Sequence, residues 1–220
     1  MYKINLFVED FGHETFLDTL IRRFASEYTI SVEIGSANAV GGYGKMIKEL
    51  KKYISDLQRS KHDMPDLIVA ATDGNCKGYL QRRQEIDEVT KKFHRPVICA
   101  IPDPHIERWL LLDSTAFKNV LGTGCAAPAY KCERDLYKRL LLEALQKSGS
   151  KPLLEPMEYA RPLVNAMNLE YLERTEESLG KLLKALRQIF REWKQSNQKG
   201  FDLLREDLSP YVLLTENPQI

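Results

Sequence analysis

Cysteine and histidine are both scarce in this chain, four of each in 220 residues. None of the cysteines (Cys76, Cys99, Cys125, Cys132) stands in a C-x-x-C pair, and the histidines do not fall beside them at zinc-ligand spacing. A zinc knuckle and a thioredoxin-like redox motif are thereby excluded. The thiols do not suggest a disulfide framework, so reduced, buried or incidental cysteines are expected, with Cys99 packing inside an apolar run. No apolar stretch approaches the ~20 residues that span a bilayer. The first apolar run, Ile4 to Val8, stops at Glu9-Asp10, too short and too acidic behind for a signal peptide, so a cytoplasmic protein is expected. An excess of either charge is also missing: 32 Lys plus Arg against 31 Asp plus Glu leave +1. That balance removes the simplest argument for nucleic-acid binding but leaves room for a local basic face. Internal repeats and low-complexity segments are absent as well.

What remains has the composition of an ordinary globular protein, 43% hydrophobic and 29% charged, with mean hydropathy −0.38. Ile4 to Val8, Thr29 to Ile34, Leu67 to Ala71 and Pro96 to Ile101 are short, apolar or β-branched, and predict strands. Between them, Phe16, Leu17, Leu20, Ile21 and Phe24 share one helical face, and Met46, Ile47, Leu50, Tyr53, Ile54 and Leu57 share another. The polar stretch Lys77 to His94 predicts an exposed helix, partly loop. Nearly continuous apolar strands alternating with helices predict an α/β fold with a mostly parallel sheet covered by helices. Beyond Asp113 helical patterns dominate, over Asp135 to Gln146, around Pro156 to Leu172, and over Glu176 to Lys194. A strand is suggested only at Tyr211 to Leu214. The expected organisation is an α/β domain over 1–113 and a mainly helical extension over 114–220 packed on it. Ser148-Gly149-Ser150 is the linker candidate, and the last ~20 residues form a loosely attached tail.

Acids recur just after the predicted strands: Glu9 and Asp10 after the first, Asp73 after the third, Asp103 and Glu107 after the fourth. Ligands of open α/β sheets bind outside those strand ends. Carboxylates gathered there repel unless a cation sits between them, and an oxygen-only set suits Mg²⁺ or Mn²⁺ rather than zinc. Each acid also has a plainer explanation. Asp103, before Pro104, suits a helix cap, Glu14 suits the first turn of its helix, and Asp73-Gly74 suits a turn. Glu107, beside Trp109 and Leu110 to Leu112 on a sparsely charged element, is the hardest to explain away.

Three of these segments carry a resemblance. Leu6-Phe7-Val8-Glu9-Asp10-Phe11-Gly12-His13-Glu14-Thr15-Phe16-Leu17 resembles the opening motif of Toprim domains of the OLD-nuclease kind. Asp66 to Asn75, ending Ala-Thr-Asp73-Gly74-Asn75, resembles their strand ending in Asp-x-Asp. Ile101-Pro102-Asp103-Pro104-His105-Ile106-Glu107-Arg108-Trp109-Leu110-Leu111-Leu112-Asp113 is similar to a Pro-x-Ile-Glu-x-Trp-Leu signature of small Toprim-like bacterial proteins, often encoded beside ATPases. The matches span roughly residues 3 to 113 and come in the expected order. The resemblance implies a metal-dependent nuclease on DNA or RNA, an ATPase partner and a part in antiviral defence. It assigns catalysis to Glu9, Glu14, Asp73 and Glu107, and Mg²⁺ or Mn²⁺ to Glu9, Asp73, Asn75 and Glu107. Asn75 departs from the pattern, since an amide oxygen neutralises no charge. Asp10 replaces the usual glycine, and Lys77 is the nearest candidate for the family's lysine. A non-catalytic Toprim-like subunit that binds a protein or nucleic acid is the alternative.

Bases come in blocks. Lys45, Lys48, Lys51, Lys52, Arg59 and Lys61 lie on the second helix and its end, and Lys181, Lys184, Arg187, Arg191 and Lys194 on the last long one. Either block is a solvated helix face or a phosphate track, and Lys45, Lys48, Lys52, Lys184, Arg187 and Arg191 are the nucleic-acid-binding candidates. Gly41-Gly42-Tyr43-Gly44-Lys45 opens a helix but lacks the Walker spacing, so Gly35 to Lys45 is expected to be a flexible loop near the active edge.

Overall fold

The computed structural model describes residues 1–38, 43–60, 64–150 and 156–212. Four strands, β1 (Tyr2–Val8), β2 (Val32–Asn38), β3 (Leu67–Ala71) and β4 (Val97–Ala100), form one all-parallel sheet in the order β2-β1-β3-β4. Helices α1 (Phe11–Tyr28), α2 (Tyr43–Ser60) and α3 (Gly78–Thr90) connect them, giving the α/β architecture that the alternation predicts. β1 sends the chain outward to β2, and α2 then carries it back past β1 to β3. The sheet therefore reverses direction between β1 and β3, the place where open parallel sheets hold ligands.

Side-chain alternation along the strands builds two cores. Ile4, Leu6, Val8, Leu67, Val69 and Ala71 face one way, against α1. Phe7, Ile68, Ala70 and Cys99 face the other, against Met46, Leu50 and Ile54 of α2 and Ile86 of α3. β3 is buried along its whole length, as a central parallel strand must be.

The second strand lies later than its composition suggests. Thr29 adopts a left-handed conformation (φ 57°) that ends α1, and Ile30 packs into the core before β2 begins. β2 then runs through Gly35, Ser36 and Ala37, because each pairs with a residue of β1. Pairing outweighs the weak strand preference of glycine here. The expected loop over Gly35–Lys45 is thus strand to Asn38 and helix from Tyr43, and 39–42 lie outside the described residues.

The second half adds α4 (Ile106–Leu110), α5 (Ser114–Leu121), α6 (Leu136–Lys147), α7 (Ala160–Ala166), α8 (Leu169–Thr175) and α9 (Glu177–Val212). α9 covers Tyr211 and Val212, where a strand was expected, and residues from 213 on lie outside those described. Ser148-Gly149-Ser150 closes α6 as a turn, and 151–155 again lie outside. Leu179, Leu182, Leu183, Leu186 and Phe190 of α9 are fully buried in the same cluster as β1, β3 and α1. Asp113 caps α5 by accepting from the Thr115 and Ala116 amides, and accepts from the Asn168 amide at 2.8 Å.

The cysteines depart from expectation. Cys76 and Cys132, 56 positions apart, form a disulfide with Cα atoms 5.4 Å apart. It ties the turn after β3 to the irregular stretch before α6, a proximity that only the tertiary fold creates. Cys99 is buried as expected, and burial pushes its thiol up to about 12. Among the described residues no helix is long and apolar enough to cross a membrane.

Because α9 shares its core with the sheet, Leu183→Ala should cost about 2–5 kcal/mol. Chemical denaturation of both proteins should show a lower midpoint and one transition. A separate early transition, with the sheet still folded, would make the helical half an independent unit.

Candidate functional site

Pairing of β1 with β3 sets Val8 opposite Ala71, so the residues that follow emerge side by side at the carboxyl edge. Backbone bonds extend the ladder past the strands: the Glu9 amide donates to Ala71 O at 3.2 Å and the Thr72 amide to Ala100 O at 3.2 Å. The Gly74 amide donates to Pro102 O at 2.7 Å and the Asn75 amide to Pro104 O at 2.9 Å. Three segments from distant parts of the chain, 9–13, 72–75 and 102–107, are thereby laced together.

Glu9 Oε2 accepts from the Thr72 hydroxyl and, at 3.3 Å, from the Asp73 amide. Asp10 caps α1, accepting from the His13 amide at 3.0 Å, and its Oδ1 also lies 2.9 Å from His13 Nδ1. His13 is fully buried. Its Nε2 sits 3.2 Å from Asp73 Oδ1, a charge-pairing distance without hydrogen-bond alignment. Asp73 Oδ1 accepts from the Ile106 amide at 3.0 Å, and Oδ2 pairs with His105 Nδ1 at 3.0 Å. The result is an alternating chain, Asp10–His13–Asp73–His105. The tautomers are inferred from these partners.

The electrostatics follow from that alternation. Burial favours a neutral His13, but the nearby Asp73 charge and the bond to Asp10 outweigh it and hold the imidazole well above its ordinary value. Burial would raise the Asp10 carboxyl, yet its bonds and charge pairing with His13 bring it down to about 2. Asp73 is lowered despite burial, first by His13 and then by His105. His105 is raised, chiefly by its hydrogen bond to Asp73. Glu107 goes the other way: burial and the neighbouring Asp73 charge raise it.

The remaining candidates are placed differently. Glu14 accepts from the Ser36 hydroxyl of β2 at 2.6 Å, which binds it to the sheet's edge strand. Asn75 turns its amide to Asp73 O at 3.4 Å. Asp103 does not cap α4. It accepts from the Tyr79 amide at 3.4 Å and the Tyr130 hydroxyl at 3.3 Å. Lys77 pairs with Glu85 at 3.4 Å.

Oxygen donors of this kind suit Mg²⁺ chemically. As arranged, however, the Asp73 oxygens already face two imidazoles and an amide. Among the described residues no three His, Cys, Asp or Glu side chains are placed to hold a metal ion. Glu9, Asp73, Asn75 and Glu107 thus share a neighbourhood without forming a seat for an ion.

The two basic blocks lie on opposite faces of the sheet, α2 over one core and α9 over the other. Lys48 and Lys52 are exposed on α2, and Lys45 and Lys52 border a shallow cleft with Tyr53. On α9, Lys184 and Arg191 are exposed. Arg187 instead pairs with Glu173 at 3.1 Å and Glu27 at 3.5 Å over the Phe24 ring, a structural contact between helices. Lys61 lies outside the described residues.

Sequence reasoning missed His13 and His105. Their signal was present: two of only four histidines stand inside the acidic motifs. It also missed Arg82, nearly buried, which donates from Nε to Asp73 O at 3.2 Å and lies over the Tyr43 ring.

This chain has a pH signature. The raised histidines stabilise the fold fully below ~6.5, and that contribution is lost as pH climbs through their folded values. The lowered aspartates stabilise it fully above ~3.9, and that contribution is lost as pH falls toward about 2 for Asp10. Unfolding free energy should therefore decline from pH 6.5 upward, and the decline should shrink in His13→Asn. Identical slopes in the two proteins would remove His13 from the network.

No curated protein and no solved structure matches this chain. A family model described as a domain of unknown function (DUF4276) matches residues 8–187, a span that holds the whole acidic edge and most of the helical half. The chain belongs to that family.

Proposed function

We propose that this protein hydrolyses phosphodiester bonds in DNA or RNA at the carboxyl edge between β1, β3 and β4. One observation carries the reading: Glu9, Asp73, His105 and Glu107, from three segments, converge where a doubly wound sheet reverses direction. The protonation tendencies of Asp73, lowered, and Glu107, raised, diverge, as acid–base chemistry requires. Glu107, raised by burial and by Asp73, is the group to protonate the leaving oxygen. Glu9 is anchored through Oε2, and we assign Oε1 to take the proton of the attacking water. His105, whose protonated form Asp73 favours, offsets the charge that builds on the phosphate oxygens.

The resemblance to Toprim nucleases adds Mg²⁺ or Mn²⁺ to the proposal, and with it the ATPase partner and the role in antiviral defence; the short, acid-ended first apolar run adds a cytoplasmic location. The residues as arranged do not fit the ion, so the acid–base groups are what the geometry supplies. In the cytoplasm the Cys76–Cys132 bond would meet thiol reductants. Co-purification with an ATPase encoded nearby, and cell fractionation, test the partner and the location. An empty pull-down or a purely extracytoplasmic signal would refute them.

Labelled single- and double-stranded DNA and RNA, incubated with protein in Mg²⁺, Mn²⁺ or EDTA, test the chemistry. Glu107→Gln and Glu9→Gln should each slow cleavage about 10²–10⁴-fold at unchanged melting temperature. Full cleavage by both variants would sink the assignment. Cleavage abolished by EDTA would move the chemistry to an ion. Binding without cleavage would support the non-catalytic reading, which Asn75 in place of a second acid favours.

The opposite-face placement makes a second prediction. Replacing Lys45, Lys48 and Lys52 together by Ala should flatten the log Kd against log salt slope by up to ~3, about 0.9 per lost phosphate contact. Lys184→Ala with Arg191→Ala should leave the slope alone if the track runs over α2. The reverse pattern would put the nucleic acid on α9.

A further inference from the structure

Beside the acidic edge, across the Pro102–Glu107 segment, lies a cleft of about 390 Å³ that the chemistry above does not use. Lys77, Tyr79, Asp103, Arg108, Tyr130 and Lys181 line it. Its volume is in the range of small-molecule sites. Asp103 in its wall belongs to the segment that carries His105 and Glu107, and Lys77 follows Asp73 by four residues, so the two sites are contiguous. The Cys76–Cys132 disulfide joins the turn carrying Lys77 to the stretch carrying Tyr130, fixing two walls against each other.

The lining is selective about what it can accept. Lys77, Arg108 and Lys181 face Asp103, Glu176 and Glu177. Three carboxylates disfavour a bare polyanion. They favour a ligand that brings hydrogen-bond donors, such as sugar hydroxyls or exocyclic amines, along with one anionic group. Two tyrosine rings supply flat apolar surface, Tyr79 with Lys181 Nζ 4.2 Å from its centroid and Tyr130 half exposed. Arg108 pairs with Glu176 at 2.8 Å, yet its Nε is a buried donor without an acceptor among the described residues.

We infer that this cleft binds one nucleotide unit, its base against the tyrosines and its phosphate among Lys77, Lys181 and Arg108. The inference rests on the hydrolytic reading for its biological sense, since it would seat a nucleotide next to the bond being cut. Unpaired single strands, whose bases are free to enter a pocket, are then the substrate class.

Equilibrium binding of adenosine 5′-monophosphate, adenosine and inorganic phosphate to the full chain in EDTA tests it. The monophosphate should bind at least about tenfold tighter than either fragment. Lys181→Ala and Tyr130→Ala, both changes at the cleft rim, should each weaken it about tenfold at unchanged melting temperature. A monophosphate no tighter than inorganic phosphate, or unaltered binding in both variants, would overturn the inference. A mononucleotide holds no phosphodiester, so loss of hydrolysis at the acidic edge leaves this readout untouched. Absence of binding, in turn, would leave the hydrolytic reading standing.

Discussion

The ion pairing of Asp73 is what the acidic edge depends on. A largely buried carboxylate is unfavourable unless charge and hydrogen bonds compensate it, and here compensation comes from three parts of the chain. His13 reaches it from the first turn of α1, His105 and the Ile106 amide from the start of α4, while Asp73 itself caps the run out of β3. Removing either imidazole would leave a negative charge poorly matched in a low-dielectric setting. The pairing thus serves cohesion and chemistry together, because the same contacts that hold three segments in place also separate the protonation tendencies of Asp73 and Glu107.

Much of this was legible in the residues. β3 could be read to the residue, since five consecutive apolar positions between polar flanks have only a doubly covered strand as a home. The stripe on α9 was equally plain, because Leu179, Leu182, Leu183, Leu186 and Phe190 repeat at helical spacing. β2 was misplaced because Gly35 to Ala37 have little intrinsic strand preference and owe their conformation to β1. The disulfide was invisible for a related reason: nothing local in Cys76 or Cys132 records that the fold brings them together.

At the site, the acids were found and the bases overlooked. Clustered carboxylates suggested an external cation, and the fold adds His13 and His105 between them, at 2.9–3.2 Å from Asp10 and Asp73. Arg187 shows a related ambiguity. It read as a candidate phosphate contact, but Glu173, Glu27 and the Phe24 ring already engage it. A charge in sequence carries no mark of whether its partner is solvent, ligand or another helix.

The Cys76–Cys132 bond also changes the chain's topology. With its ends 56 positions apart, it closes a covalent ring that contains α3, β4, His105, Glu107 and α5. Glu9 to His13 and Asp73 lie outside that ring, so the acidic edge is assembled from one closed loop and one open strand. A single peptide break anywhere inside the ring would leave both pieces covalently joined. The half of the edge that bears Glu107 is therefore the half whose connection to the rest of the protein survives one cut.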